Sequence, residues 1–167
     1  MNMNIRDMVR KALLTEGKRT ALLKEGSHNG NNYSCIMVFL KYEQSEWDIM
    51  QDLIDDDDLY EPKDETGFGK EDHPHVTILF GLHEDISDKD IEDEIKKIKN
   101  PKLKLGKVSS FTNENFDVLK FDIESEDLYK YNKNFSKFPN TTEFKNYHPH
   151  CTIAYVKSGL AKKYIDK

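Results

Sequence analysis

Cysteine is scarce in this chain and long apolar runs are missing. The two cysteines, Cys35 and Cys151, lie in apolar, strand-like stretches, so we expect buried free thiols and a reducing cytoplasm rather than a disulfide. No apolar run approaches the ~20 residues of a membrane span. Residues 1–14 also lack the uninterrupted apolar core of a secretory signal. The sequence therefore predicts a cytoplasmic globular protein with no membrane partner.

An excess of positive charge is missing too. The chain has 25 lysines and arginines against 31 acids, a net charge of −6. Its lysines are scattered, and Asp55 to Asp58 form a four-acid run, which we expect to be a solvated helix end. Proteins that bind long nucleic acids usually carry a basic stripe, because neutralised phosphates supply much of the affinity. The composition therefore disfavours a long nucleic acid and leaves open a small phosphate-bearing ligand.

Apolar patterns along the 167 residues alternate between strand and helix periods, which predicts an α+β fold. We expect one bilobal domain over residues 1–167, in which residues 1–32 form an N-terminal helical extension. Ser45 and Ser87 are predicted helix N-caps. The full prediction is a helix at 1–25, strands at 33–40, 73–80, 102–111, 116–123 and 148–155, helices at 45–54, 87–98 and 126–136, and loops at 55–72 and 137–147. We expect the segments 60–73 and 137–147 to gate a groove.

One short phrase occurs twice. HPHVTILF runs from His73 to Phe80 and HPHCTIAY from His148 to Tyr155, and five of the eight positions are identical. Four of the six histidines lie in these copies, 75 residues apart. The needs of a strand do not dictate His, Pro, His and Thr. The repeat therefore predicts a duplicated lobe that meets its twin across a cleft.

Each copy places a histidine and a threonine on one face of a strand, because side chains at i and i+2 point the same way. His75 with Thr77 and His150 with Thr152 can thus face one cavity. Two imidazoles can serve as general base and general acid in cleavage of a phosphodiester beside a ribose hydroxyl. Threonine hydroxyls can stabilise charge on the non-bridging oxygens. No metal is needed when the attacking hydroxyl belongs to the substrate.

The two H-x-T motifs at this spacing resemble those of the 2H phosphoesterase superfamily, over roughly residues 33–157. The resemblance implies a bilobal α+β fold with antiparallel sheets around a central groove. It also implies metal-independent phosphodiester chemistry by His75, Thr77, His150 and Thr152. Within the superfamily, the doubled H-P-H form and the small acidic chain are most similar to phage-encoded anti-CBASS nucleases. Those enzymes cleave the 3′–5′ linkages of cyclic di- and trinucleotides in the host cytoplasm and so block anti-phage defence.

Residues for substrate binding are predicted less directly. Tyr33 and Tyr147, together with Phe144, are candidates for base stacking, Lys70 for a phosphate and Glu143 for a base edge. For each of them a role in the core or on the solvated surface is an equal or stronger alternative. His73 and His148 are expected at the strand mouths, where bonding to a loop carbonyl competes with substrate contact. No obligatory protein partner is inferred.

Other interpretations stay open. The two H-x-H segments can build a four-histidine metal site. The RNA-trimming and 2′–5′ RNA ligase-like branches share the motif pair, so a 2′,3′-cyclic phosphodiesterase is an alternative to the cyclic-nucleotide enzyme. A protein that binds cyclic nucleotides without cutting them is a third possibility, although it has no need for two proton-transfer groups.

Overall fold

The chain is described here by a computed structural model covering residues 24–28, 31–63, 67–83, 85–142, 144 and 146–165, with the backbone alone for residues 24–28, 31–34 and 88. Its elements, in chain order, are β1 Lys24–His28, β2 Asn31–Phe39, α1 Gln44–Gln51, a 3-10 helix Asp56–Asp58, β3 His75–Leu82, α2 Asp88–Ile95, β4 Lys104–Thr112, β5 Phe116–Glu124, α3 Glu126–Phe135, β6 His150–Lys157 and α4 Lys162–Ile165.

The fold is α+β, built on a six-stranded antiparallel sheet with the strand order β1-β2-β3-β6-β5-β4. The order has an internal repeat: a hairpin, a helix and a central strand in the first half, and the same series in the second. The helices α1 and α3 occupy equivalent places, and β3 and β6 are neighbours at the centre. The predicted α+β class and the duplicated architecture are therefore present in the chain topology.

The two central strands meet only at their first residues. Val76 pairs with Cys151, and this is the single register pair recorded between β3 and β6. Beyond it the strands diverge, and each is joined by the segment that precedes the other motif. The bond from Tyr155 N to Gly69 O (2.8 Å) attaches one segment to β6, and the bond from Thr141 N to Gly81 O (2.8 Å) attaches the other to β3.

These bonds change the interpretation of the segments at 60–73 and 137–147. The sequence predicts gating segments, but the described portion of each is hydrogen-bonded to a central strand through its backbone. Lys70 forms an isolated bridge with Ala154, and Asn140 forms one with Leu82. The two halves therefore interlock, since each contributes backbone to the other's central strand.

Alternation along the central strands separates a core face from an open face. Val76 and Ile78 of β3, and Cys151 and Ile153 of β6, are at most 1% exposed. On the core side they join Trp47 of α1 and further residues of both halves: Ile36, Met50, Leu119, Phe121, Leu128 and Phe135. Both cysteines are buried, as predicted, and neither forms a disulfide. None of the described helices is long and apolar enough to cross a membrane.

Several predicted boundaries are wrong. The helix predicted at 1–25 lies largely outside the described residues, but residues 24–28 form β1, so the helical extension does not reach residue 32. The N-cap of α1 is Glu43 rather than Ser45. Leu53, which the predicted helix 45–54 includes, lies beyond the end of α1 at Gln51 and is 49% exposed.

The four-acid run is only partly solvated. Asp58 accepts hydrogen bonds from the Tyr164 hydroxyl (2.5 Å) and from the Lys163 ammonium (2.7 Å) of α4. Those bonds attach the C-terminal helix to the acidic segment, because they connect residues more than 100 positions apart. The prediction of a fully solvated helix end is therefore wrong for Asp58 and holds for its exposed neighbours Asp55 to Asp57.

Candidate active site

The four motif side chains lie on the open face of the sheet at its centre. Val76 and Cys151 pair across the two strands and face the core, so their neighbours on either side face the opposite way. Continued by one residue each way, this register sets His75 opposite Thr152 and Thr77 opposite His150. The two histidines are then diagonal neighbours about 7–8 Å apart at their Cα atoms. Both imidazoles can approach one phosphate group from that arrangement.

Both imidazoles are held by the same backbone contact. Nδ1 of His75 lies 2.9 Å from the carbonyl oxygen of His73, and Nδ1 of His150 lies 2.7 Å from that of His148. A carbonyl oxygen can only accept, so Nδ1 carries the proton in each ring. Nε2 is therefore the nitrogen left to exchange a proton with a ligand. The first histidine of each H-P-H thus takes part through its main-chain carbonyl, and the rim contact expected of its side chain stays a prediction.

Proline fixes the approach to each motif. The Pro74 carbonyl accepts from Leu40 N (2.9 Å) and the Pro149 carbonyl accepts from Ile123 N (3.0 Å), so each proline is bonded to the neighbouring strand of its own half. Proline donates no hydrogen bond and restricts φ, which suits the position just before a strand. The repeated H-P-H therefore specifies the same local geometry twice.

The surroundings of His150 are polar and charged. The register Asp122↔His150 and Lys120↔Thr152 brings two charged residues of β5 beside the second motif. Lys120 is only 4% exposed, and its ammonium donates to the Asp122 carboxylate (2.6 Å) and to the Ser109 hydroxyl (2.7 Å). The serine in turn donates to the same carboxylate oxygen at 2.7 Å. An ion pair between a buried lysine and a partly exposed aspartate therefore flanks this histidine.

Burial and this cluster affect the protonation of the site. The pKa of His150 lies below its ordinary value, mainly because the ring is desolvated and also because Lys120 and His75 are nearby cations. The bond to the His148 carbonyl and the Asp122 carboxylate act in the other direction but are outweighed. Asp122 also has a lowered pKa: its burial opposes ionisation, but hydrogen bonds from Lys120 and Ser109 outweigh it. His150 is thus disposed to be neutral near pH 7.

The surroundings of His75 are different. Its partners on β2 are apolar, with Phe39 opposite His75 and Met37 opposite Thr77. The Phe39 ring centroid lies 5.9 Å from the His75 ring. A carboxylate of another segment is also close, since Glu71 Oε1 lies 3.9 Å from Nδ1 of His75. Trp47 and Gln51 of α1 fix that segment by donating to the Glu71 carbonyl, both at 2.7 Å.

The residues predicted to bind substrate have varied outcomes. Lys70 pairs with Asp56 (2.7 Å) rather than with a motif residue. Tyr147 is largely structural, because its hydroxyl donates to the Thr77 carbonyl (2.9 Å), and burial raises its pKa. Phe144 is 72% exposed. Glu143 and the side chain of Tyr33 lie outside the described residues.

Sequence reasoning missed the residues that distinguish the two halves, namely Lys120, Asp122 and Ser109. It also missed Phe111, whose ring lies edge-on to His150 with centroids 4.9 Å apart and is 41% exposed. The charge alternation in FDVLKFDI is visible in the sequence, but only the strand register shows that it borders the second motif.

Two further observations concern what the site can hold. Among the described residues, no three histidine, cysteine or acidic side chains are arranged to hold a metal ion. No protein-family model, curated protein or solved structure matches this chain. The motif pair and its geometry are therefore the features of this chain that bear on its function.

Proposed function

We propose that the chain is a phosphodiesterase of the 2H type that cleaves 3′–5′ linkages of cyclic di- or trinucleotides without a metal. We propose also that the two three-stranded halves are the two lobes of a 2H phosphoesterase fold. By the same resemblance, the enzyme acts in the cytoplasm of a phage-infected bacterium and blocks the cyclic-nucleotide signal of its CBASS defence.

One observation carries the proposal: the Val76–Cys151 pair brings both His/Thr motifs together on one open face. A single phosphodiester between them has an imidazole on either side. One Nε2 accepts the proton of the ribose 2′-hydroxyl, and the 2′-oxygen attacks phosphorus. The other Nε2–H gives its proton to the departing 5′-oxygen. The Thr77 and Thr152 hydroxyls donate to the non-bridging oxygens, where negative charge develops.

The charge of the molecule supports a small substrate. The net charge is −6, and the buried Lys120 beside His150 places positive charge locally at the site. A local cation suits one phosphate group, whereas a long polyanion needs many surface contacts.

A product screen tests the proposal. Purified protein is incubated with cyclic di-, tri- and tetranucleotides, with linear 2′–5′ and 3′–5′ RNA and with nucleoside 2′,3′-cyclic phosphates, with and without EDTA. We expect linear products from a cyclic di- or trinucleotide and unchanged rates in EDTA. Exclusive cleavage of linear RNA or of 2′,3′-cyclic phosphates would favour the RNA-processing alternative. Intact ligand released by heat would identify a binder that does not cut.

Both histidines should be essential to turnover. His75→Ala and His150→Ala should each lower kcat by roughly 10²–10⁴-fold, because each removes one proton-transfer group. His83→Ala is the matched control, since His83 bonds Thr141 at 2.8 Å and is not part of a motif. Near-normal turnover by either motif variant would rule out the two-imidazole mechanism.

A further inference from the structure

The duplicated halves are not equivalent at the site. Thr152 is paired with Lys120 and Thr77 with Met37, so Met37 is the counterpart of Lys120. By the same register Phe39, opposite His75, is the counterpart of Asp122, opposite His150. The charged cluster therefore exists beside one histidine and is replaced by apolar side chains beside the other.

The cluster is fixed rather than mobile. Lys120 has two short hydrogen bonds, and its ammonium lies 4.2 Å from the centroid of the Phe111 ring. Phe111 in turn contacts the His150 ring edge-on. The ammonium thus contacts three groups, the Ser109 hydroxyl, the Asp122 carboxylate and the Phe111 ring. Lys120 therefore acts on His150 through its charge and through Phe111. It is a positioning residue and not a proton donor to substrate.

We propose that the Lys120–Asp122–Ser109 cluster makes His150 the general base and leaves His75 as the general acid. The inference deepens the proposed function and depends on it. On the first half, the carboxylate of Glu71 lies 3.9 Å from Nδ1 of His75, and no lysine of the described strands is paired with either motif residue of β3. The two chemically identical histidines therefore have different charged neighbours: the Lys120–Asp122 ion pair beside His150 and the Glu71 carboxylate beside His75.

His150 Nε2 takes the proton of the 2′-hydroxyl while the 2′-oxygen forms its bond to phosphorus. The bond from phosphorus to the 5′-oxygen breaks, and that oxygen takes the proton of His75 Nε2. The products are a 2′,3′-cyclic phosphate and a 5′-hydroxyl. His150 ends protonated and His75 neutral, and proton exchange with water restores both.

The charged groups that face His150 come from several segments. Lys120 and Asp122 lie on β5 and His75 lies on β3, while His148, two residues before β6, acts through its backbone carbonyl. Lys107 of β4 contributes indirectly, because it acts on Asp122. Lys120 and His75 disfavour protonation of His150, and Asp122 favours it. Substitution of Lys120 and of Asp122 should therefore have opposite effects on the ring.

A substrate with a good leaving group distinguishes base from acid. The 4-nitrophenyl esters of the four nucleoside 3′-phosphates retain the 2′-hydroxyl, but their leaving group needs no proton. On these esters, the turnover of His75→Ala should be within about ten-fold of wild type. On nucleotide linkages, its turnover should be about 100-fold or more below wild type. His150→Ala should be impaired on both. Recovery of His150→Ala instead, of both variants, or of neither would overturn the assignment.

The pH dependence tests the role of the cluster. A general base works when unprotonated, so the acidic limb of kcat/KM follows the pKa of His150. Lys120→Met, which installs the residue of the other half, should move that limb to higher pH by about one unit. Asp122→Asn should move it to lower pH. Lys104→Met is the control, since it removes an exposed lysine paired with Glu124 (2.6 Å) at the far end of the same hairpin.

The outcomes separate the two proposals. If wild type cleaves neither the nitrophenyl esters nor any nucleotide of the product screen, the proposed function itself fails. If wild type cleaves a nucleotide but not the esters, the pH profiles of wild type and the variants on that nucleotide test the assignment of base and acid. If Lys120→Met does not fold by circular dichroism, the Asp122→Asn shift decides alone. Shifts in the same direction, or no shift, would overturn the inference and leave the phosphodiesterase proposal in place.

Discussion

At the scale of single residues, the two motif threonines differ in their surroundings. Thr152 is only 8% exposed and lies opposite the buried Lys120, whereas Thr77 is more exposed and lies opposite Met37. A hydroxyl that is fixed and shielded from water interacts more strongly with developing charge. We therefore expect Thr152 to be the stronger transition-state donor of the pair.

Thr152→Val should lower kcat/KM by roughly 10²–10³-fold, the effect of losing about 2.7–4 kcal/mol of transition-state stabilisation. Valine preserves the shape and the strand preference, so folding should change little. Thr112→Val, an exposed site at the end of β4, provides the control. Steady-state kinetics on the substrate of the product screen measures the effect, and a change below three-fold would remove Thr152 from the mechanism.

The sequence predicted which side chains face one another, but not how they differ. His75, Thr77, His150 and Thr152 followed from a repeated octet and the two-residue strand period. Lys120 and Asp122 did not, because their role depends on the register between β5 and β6, which includes a shift between Leu119 and Lys120. A single-residue slip would turn both charged side chains away from the motif.

At the scale of elements, strand and helix types were predicted well and boundaries less well. The hairpin of β4 and β5 and the helices around Trp47 and Leu128 were anticipated from periodicity. The strand β1 was missed, because its sequence KEGSH has little apolar character. It forms through pairing with β2, and the dipeptide Asn29-Gly30 between the two strands was the available signal. Tertiary pairing thus outweighed local composition.

Gly81 shows how closely the segments of the two halves approach. Its φ is +86°, and a Cβ built there would lie 1.9 Å from the Thr141 carbonyl oxygen. Gly81→Ala should therefore lower the free energy of unfolding by roughly 3–5 kcal/mol. Gly159 has nearly the same φ (+84°) but no atom within 4 Å, so Gly159→Ala should cost only about 1–2 kcal/mol. Urea denaturation measures both, and equal losses would contradict the steric explanation.

At the scale of the whole molecule, the duplication was predicted and the manner of joining was not. The sequence suggested two lobes across a cleft. In the structure a single sheet runs through both halves, and each half lends a short segment to the other's central strand. Such long-range pairing leaves no local signature in a sequence, because the bridged partners are 58 to 97 positions apart.

This interlocking predicts one cooperative unfolding transition. Trp47 is the sole tryptophan and reports on the first half, while far-ultraviolet circular dichroism reports on strands and helices of both. The two signals should give coincident urea midpoints, as in two-state unfolding. A urea midpoint from Trp47 fluorescence that is distinctly lower than the midpoint from circular dichroism would mean that the halves unfold separately.

The bonds from the two imidazoles to the carbonyls of His73 and His148 have a further consequence. The acceptor is a main-chain carbonyl oxygen, which every amino acid has. Substitution of His73 or His148 therefore cannot remove it unless the backbone conformation changes. The backbone therefore fixes the orientation of both rings. Substitutions around the two rings can alter substrate choice while each Nδ1 keeps its hydrogen bond.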